Sequence, residues 1–261
     1  MVSQLKKIFS QNKKKKVGII IEARSNSSRL PNKHFLKILN KTMLEHLIYR
    51  LKNISNVDVI VIATTKNRED DKIYELAKKI NVEVFRGSEN NVTKRVLKAA
   101  QNFKLDIICE ITGDCPIIDP FLVEQLIDTY LLNSNKIDYI SNSQLGLPNG
   151  MGCQVFSKKI LAESYKNIIR KDELEYVTLN IKRNPKKYKQ IYVLPPPNLS
   201  WSKLGVTLDE KSDYFLLKKI IISFKNKPLF SCDDVIKLLR KNKKWLKINS
   251  RVKRKEDYIK I

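Results

Sequence analysis

The stretch VGIIIEARSNSSRLPNK, Val17 to Lys33, carries the reading of the chain. Val17, Gly18, Ile19, Ile20 and Ile21 form a short, continuous apolar run. That is the pattern of a strand covered on both faces, as in a parallel sheet. The chain then places Arg24, Ser25, Ser27, Ser28, Arg29 and Lys33 within ten residues. In a parallel α/β sheet, the loop leaving the C-terminal end of the first strand is where ligands bind. Hydroxyls, backbone N–H groups and three fixed cations there suit a polyphosphate. The arginines can grip phosphate oxygens bidentately, Lys33 acts as a point charge, and Ser28 adds a hydrogen bond. The loop is expected to be exposed. It is neither the Walker loop nor the dinucleotide fingerprint, since the only nearby glycine, Gly18, lies inside the strand.

Working outward, Leu44, Leu47, Ile48 and Leu51 fall at the spacing of an amphipathic helix. VDVIVIATT (57–65) predicts a second strand, and a helix beginning at Asp70 or Asp71 follows. VEVFRG (82–87) is a third strand, a helix carries Val92, Val96 and Ala99, and 106–112 is a fourth strand. Asp119-Pro120 reads as an N-cap with proline at the first helical position, and 138–141 as a fifth strand. This alternation predicts a parallel sheet with helices on both faces. From Ser143 the rhythm changes. SQLGLPNGMG reads as a loop over the site, GCQVFS as a strand, and Ser157 as the cap of a helix to Ile168. A further helix from about Asp172, the strand KQIYVL, a strand Val206–Leu208 ending at Asp209, and two closing helices complete the chain. Ser231 and Asp234 read as a capping box.

At 261 residues and 42% hydrophobic content the chain is long enough for one large domain, 17–261, after a flexible basic lead-in over 1–16. No apolar run reaches the ~20 residues of a membrane helix, and the N-terminus lacks a secretion signal, so a cytoplasmic protein is expected. Four scattered cysteines without a C-x-x-C pair fit reduced thiols. The formal charge of +24 raises the question of nucleic acid. The basic clusters at 13–16, 241–247 and 251–255 sit in no known recognition module, so they read as solvated surface with no nucleic-acid partner.

The pattern A-R-x-x-S-x-R-L-P-x-K over Ala23 to Lys33 resembles the signature loop of the cytidylyltransferases that make CMP-activated acidic sugars. Within them it is most similar to the spore-coat polysaccharide branch, and also to the acylneuraminate and ketodeoxyoctonate enzymes. The resemblance implies a Rossmann-like, nucleotide-diphospho-sugar transferase-like α/β fold, with a strand–helix excursion over about 143–200 that packs two subunits into a homodimer. It implies transfer of CMP from CTP to an acidic sugar with release of pyrophosphate, assisted by Mg2+. Nucleotidyl transfer needs cations on the triphosphate, carboxylates for magnesium and an acceptor in line with the α-phosphorus. Arg24 and Lys33 are the expected catalytic cations.

Asp114, in TGDCP at the end of the fourth strand, matches the family's metal-binding aspartate and completes the expected catalytic set. Asp209, ending VTLD, is the expected second magnesium ligand, although the family's V-D-T-P-E-D has lost its proline here. Ala63-Thr64 and Arg86-Gly87-Ser88-Glu89 match the family stretches that flank nucleobase and ribose. The acceptor side departs from the pattern. The family's G-L-D-V-E-V-F becomes Gly150-Met151-Gly152-Cys153-Gln154-Val155-Phe156, and its E-H-V-T becomes Glu175-Tyr176-Val177-Thr178. Gln154, Glu175 and Tyr176 are therefore the acceptor candidates. The loss of two acids suggests an anionic acceptor, with Gln154 contacting it. With only His34 and His46 in the chain, histidine acid–base catalysis is not expected. The alternatives are a nucleotidyltransferase using another base or a non-sugar acceptor, a glycosyltransferase of the related fold, and a non-catalytic nucleotide-binding protein. The glycosyltransferase would ordinarily carry a D-x-D pair where this chain has G-D-C-P, and the retention of Asp114 and Asp209 argues against the non-catalytic reading.

Overall fold

The computed structural model describes residues 15–143 and 146–254. The expected lead-in lies outside the described residues except for Lys15 and Lys16, as does Lys255 of the last basic cluster. Seven strands form one sheet: β1 (Val17–Glu22), β2 (Val59–Thr65), β3 (Glu83–Gly87), β4 (Ile107–Thr112), β5 (Tyr139–Ser141), β6 (Gln154–Ser157) and β7 (Gln190–Tyr192). Their order is β3-β2-β1-β4-β6-β5-β7, so the apolar run read first from the sequence is the inner strand that pairs with both β2 and β4.

The helices are α1 (Met43–Leu51), α2 (Asp71–Lys79), α3 (Val92–Asn102), α4 (Pro120–Asn133), α5 (Lys158–Lys166), α6 (Asp172–Glu175), α7 (Leu179–Arg183), α8 (Lys211–Ser223) and α9 (Cys232–Lys241). Alternation along β1 divides them. Ile19 and Ile21 pack with Leu44, Leu47 and Ile48 of α1, Ile73 of α2 and Val123 of α4. Ile20 packs on the other face with Val96 of α3, Leu161 of α5 and Ile181 of α7. All three isoleucines are fully buried, each contributing about 1.5–3 kcal/mol. A third cluster joins α8 and α9 to Leu147, Met151, Val206 and Leu208, walling the open end of the sheet. The expected caps are present: Asp119 accepts from Phe121 N, Ser157 from Ile160 N, and Ser231 forms its box with Asp234. All four cysteines are buried and free.

Three details differ from the sequence reading. β6 runs antiparallel to both β4 and β5, because the stretch between β5 and β6 holds no crossover helix among the described residues and returns the chain directly. The segment 206–208 is not a strand. Gly205 bridges Asn149 once, and Leu208 N then donates to the carbonyl of Asp114 at 2.8 Å, so the segment is held across the sheet's end. The helix expected from Asp172 breaks at Tyr176 into α6 and α7, with Thr93 Oγ1 donating to the carbonyls of Glu173 and Leu174.

Candidate active site

The loop after β1 is fastened at Ser25. Its N–H donates to Asp70 Oδ1 at 2.6 Å, and Asp70 Oδ2 accepts from Thr65 Oγ1 at 2.5 Å, so the end of β2 anchors the loop. The Ser25 carbonyl accepts from the N–H groups of Ser27 and Asn32, both at 3.0 Å. Asn32 takes a left-handed φ of 58°, which turns the chain so that Lys33 points inward. The expectation of an exposed loop is corrected here: Lys33 is 8% exposed, held down by two carboxylates.

Lys33 Nζ lies 2.8 Å from Asp114 Oδ2 and 3.5 Å from Asp209 Oδ1. Arg29 Nη2 donates to Asp209 Oδ1 at 2.7 Å, and Arg254 Nη1 to Asp209 Oδ2 at 3.0 Å. Burial opposes the Lys33 charge, yet the two carboxylates outweigh it and raise its pKa. Burial likewise pushes Asp114 up, but the Lys33 charge, its hydrogen bond and the Thr112 hydroxyl at 2.6 Å take it well below the ordinary carboxylate range. Gly113, just before Asp114, has no room for a side chain: a Cβ would meet the Glu22 carbonyl oxygen at 2.8 Å and His34 Cε1 at 2.9 Å.

The donor set can be tested against magnesium directly. Asp114 and Asp209, from distant segments, converge on one cationic nitrogen, as two carboxylates would on a hard cation. Among the described residues no group of three or more His, Cys, Asp or Glu is placed to hold a metal. A site of two carboxylates leaves most of the shell to water and phosphate, the usual arrangement for magnesium. The residues therefore fit the ion.

The same cleft, about 670 Å³, is lined by Arg24, Ser28, Arg29, Lys33, Asp114 and Asp209 and also by Gln154, Glu175 and Tyr176. Its floor carries an acid pair the sequence reading missed. Burial and the neighbouring Glu110 charge raise the Glu22 pKa well above the ordinary carboxylate range. Glu22 Oε1 is buried without a hydrogen-bond partner among the described residues. Gln154 Nε2 donates to Glu110 Oε2 at 2.6 Å, while its Oε1 accepts from Tyr139 OH and Thr178 Oγ1, both at 2.5 Å. The cleft thus keeps carboxyl groups at Glu22, Glu110 and Glu175, which corrects the reading that the two lost acids leave it without them, although the raised Glu22 pKa favours its neutral form. A glutamate inside each of the apolar strands VGIIIE and IICEIT was the available signal.

Ala63, Thr64, Arg86, Gly87, Ser88 and Glu89 lie at the ends of β2 and β3, outside the lining of this cleft. Arg95 links them to it. It lines the cleft, and its Nη1 donates to the carbonyls of Ser88 and Glu89. Arg86 pairs with Asp71 at 2.6 Å and donates to the Thr65 and Asn67 carbonyls. His34 also faces the cleft. Burial and the Lys33 charge lower its pKa to about 4, keeping it neutral. His46 is half-buried, with Nε2 2.9 Å from the Ile38 carbonyl oxygen, away from the cleft.

A family model described as cytidylyltransferase matches residues 18–244. The chain is 37% identical over 238 residues to an uncharacterized protein of Methanocaldococcus jannaschii, covering 90% of this chain and 95% of that one. It is 29% identical to the spore coat polysaccharide biosynthesis protein SpsF of Bacillus subtilis, covering 85% and 93%. The solved structure of a cytidylyltransferase from Leptospira borgpetersenii superposes with a TM-score of 0.85 at 33% identity, covering 92% of this chain and 99% of that one.

Proposed function

The chain belongs to the cytidylyltransferase family, and from that premise we propose that it transfers CMP from CTP to an acidic sugar, with release of pyrophosphate, for surface polysaccharide synthesis. The observation that carries this reading is the convergence of Arg24, Arg29 and Lys33 with Asp114 and Asp209 on one cleft. On this reading the three cations bind the triphosphate. Arg24 makes no ion pair among the described residues, so it is available to phosphate without giving up a partner. Asp114 and Asp209 would hold magnesium, which when bound neutralises charge on the phosphate oxygens.

The acceptor hydroxyl oxygen bonds to the α-phosphorus as the bond to pyrophosphate breaks, and the hydroxyl proton passes to solvent. The chain's contribution is alignment and charge stabilisation. With His34 held neutral and His46 remote, no histidine is assigned a proton transfer. Gln154, Glu175 and Tyr176 would border the acceptor, and the β2 and β3 ends would border the base. A homodimer is supported by the edge strand β7, where Ile191, Tyr192 and the following Leu194 are exposed. No helix among the described residues is long and apolar enough to cross a membrane.

The test is pyrophosphate release from CTP, UTP, ATP and GTP against a panel of acidic sugars, with magnesium and with EDTA. Turnover is expected with CTP and magnesium only. Equal turnover with UTP would refute the base assignment. Turnover with neutral sugars alone would refute the acceptor class.

A further inference from the structure

The basic run 251–255 reads from sequence as one more solvated cluster, and it lies beyond the family match that ends at residue 244. The structure places Arg254 differently. Its side chain is 11% exposed and bridges two carboxylates. Nη1 donates to Thr207 Oγ1 at 2.5 Å and to Asp209 Oδ2 at 3.0 Å, and Nη2 to Asp213 Oδ1 at 2.8 Å. Asp213 is fully buried, and its Oδ2 accepts from the backbone N–H groups of Asp209 at 3.0 Å and Glu210 at 2.9 Å. Asn249 Nδ2 donates to Asp213 Oδ1 at 2.8 Å from the same C-terminal segment. Next door, the Lys253 carbonyl accepts from Arg29 Nη1 at 2.8 Å.

The two oxygens of Asp209 are thereby divided. Oδ2 is held from behind by Arg254 and Thr207, while Oδ1 meets the cations of the cleft, Arg29 and Lys33. A planar fork can span Asp209 and Asp213 at once, which a lysine ammonium cannot do in the same geometry. The fork also needs Gly205. A Cβ there would lie under 3.0 Å from Nη2, Nε and Cζ of Arg254, with no space for both.

We infer that Arg254 is a positioning residue of the active site, fixing the Asp209 carboxylate so that Oδ1 is presented to the nucleotide's metal ion. The inference rests on the reading of Asp209 as a magnesium ligand. Partners that orient a metal-binding carboxylate typically govern 10–100-fold in metal affinity. Arg254 lines the cleft, but its guanidinium is engaged by Thr207, Asp209 and Asp213, so its effect should act through Asp209 and appear when magnesium is present.

The experiment is calorimetric titration of CTP into the full-length protein, in MgCl2 and in EDTA, for the parent, Asp209→Asn, Arg254→Ala and Gly205→Ala. The ratio of the two affinities is the magnesium-linked gain. Arg254→Ala should lose most of that gain, on the order of tenfold, with the EDTA affinity unchanged. Gly205→Ala keeps every charge but displaces the guanidinium, and it should follow Arg254→Ala; it also serves if Arg254→Ala does not fold. If Arg254→Ala keeps the gain while Asp209→Asn loses it, the inference alone is overturned. If both keep it, the magnesium reading of Asp209 falls, and the inference with it. Equal weakening in MgCl2 and EDTA would mark Arg254 as merely structural and also overturn the inference.

Discussion

Replacing Lys33 with methionine removes the ammonium group shared by Asp114 and Asp209 and fills its space with a flexible apolar chain. Asp209 retains Arg29 and Arg254, so the carboxylate left uncompensated is Asp114. Its side chain is 23% exposed, and that of Lys33 10%. Breaking a buried pair by removing one partner costs about 3–5 kcal/mol, and partial exposure of Asp114 places this case near the lower bound, at about 3 kcal/mol. For a chain of this size that is a fall in Tm of roughly 6–12 °C. The sign with pH follows from the burial and the lost partner. In the parent the depressed Asp114 pKa adds stability above the unfolded value near 4, lost as pH falls through the folded value. In Lys33→Met the charge and hydrogen bond that chiefly oppose burial are gone and the Thr112 hydroxyl is the main group left to counter it, so the Asp114 pKa should rise above the unfolded value. The variant then loses stability as pH rises through that raised value, and its deficit should be large at pH 8 and smaller at pH 5. Urea unfolding at both pH values measures it. A deficit under about 0.5 kcal/mol at pH 8, or one identical at pH 5, would refute the reasoning.

Asp114→Asn should permit CTP binding yet abolish turnover, because an amide is a poorer magnesium ligand than a carboxylate; full turnover at limiting magnesium would show that Asp114 is structural. Gln154→Glu sets a third carboxyl beside Glu22 and Glu110 and removes the amide donor to Glu110. It should cost about 1–3 kcal/mol, with the deficit shrinking toward pH 5 in urea unfolding, and a pH-independent deficit would argue against it.

The sheet's parallel half was legible because β1, β2 and β4 are largely apolar runs and β3 alternates apolar and polar residues, each bounded by a cap or turn signal. Val17 to Ile21 could hardly be anything but an inner strand. The antiparallel β6 was not legible, since GCQVFS carries no mark of direction, and the absence of a crossover helix decides it. In the site, Arg29 and Lys33 were found by residue type and place and Asp114 and Asp209 through the family resemblance, and the structure joins them by ion pairs, Arg29 to Asp209 and Lys33 to both aspartates. What no local pattern could give was Lys33's burial, which follows from two carboxylates more than 80 residues away in the chain. Arg254 was invisible for the same reason. A cation in a basic run looks solvated until the fold supplies Asp209, Asp213 and a glycine to lie against.

The ion pairs also bear on why magnesium and nucleotide should bind together. Arg29 and Lys33 each hold Asp209, and Lys33 holds Asp114 as well. A triphosphate that recruits these cations draws them away from the carboxylates. Two partly buried anions would then face each other with less compensation, an arrangement costing several kcal/mol. On the proposed magnesium reading a divalent cation would remove that cost, so nucleotide and magnesium would each raise the affinity for the other, as coupling requires. The exchange disturbs little of the frame, because the carboxylates are held by groups other than the two mobile cations. Thr112 holds Asp114, and Thr207 and Arg254 hold Asp209. Only two long side chains must change partners while the acids stay in place, and that is the preorganisation a charge-stabilising site requires.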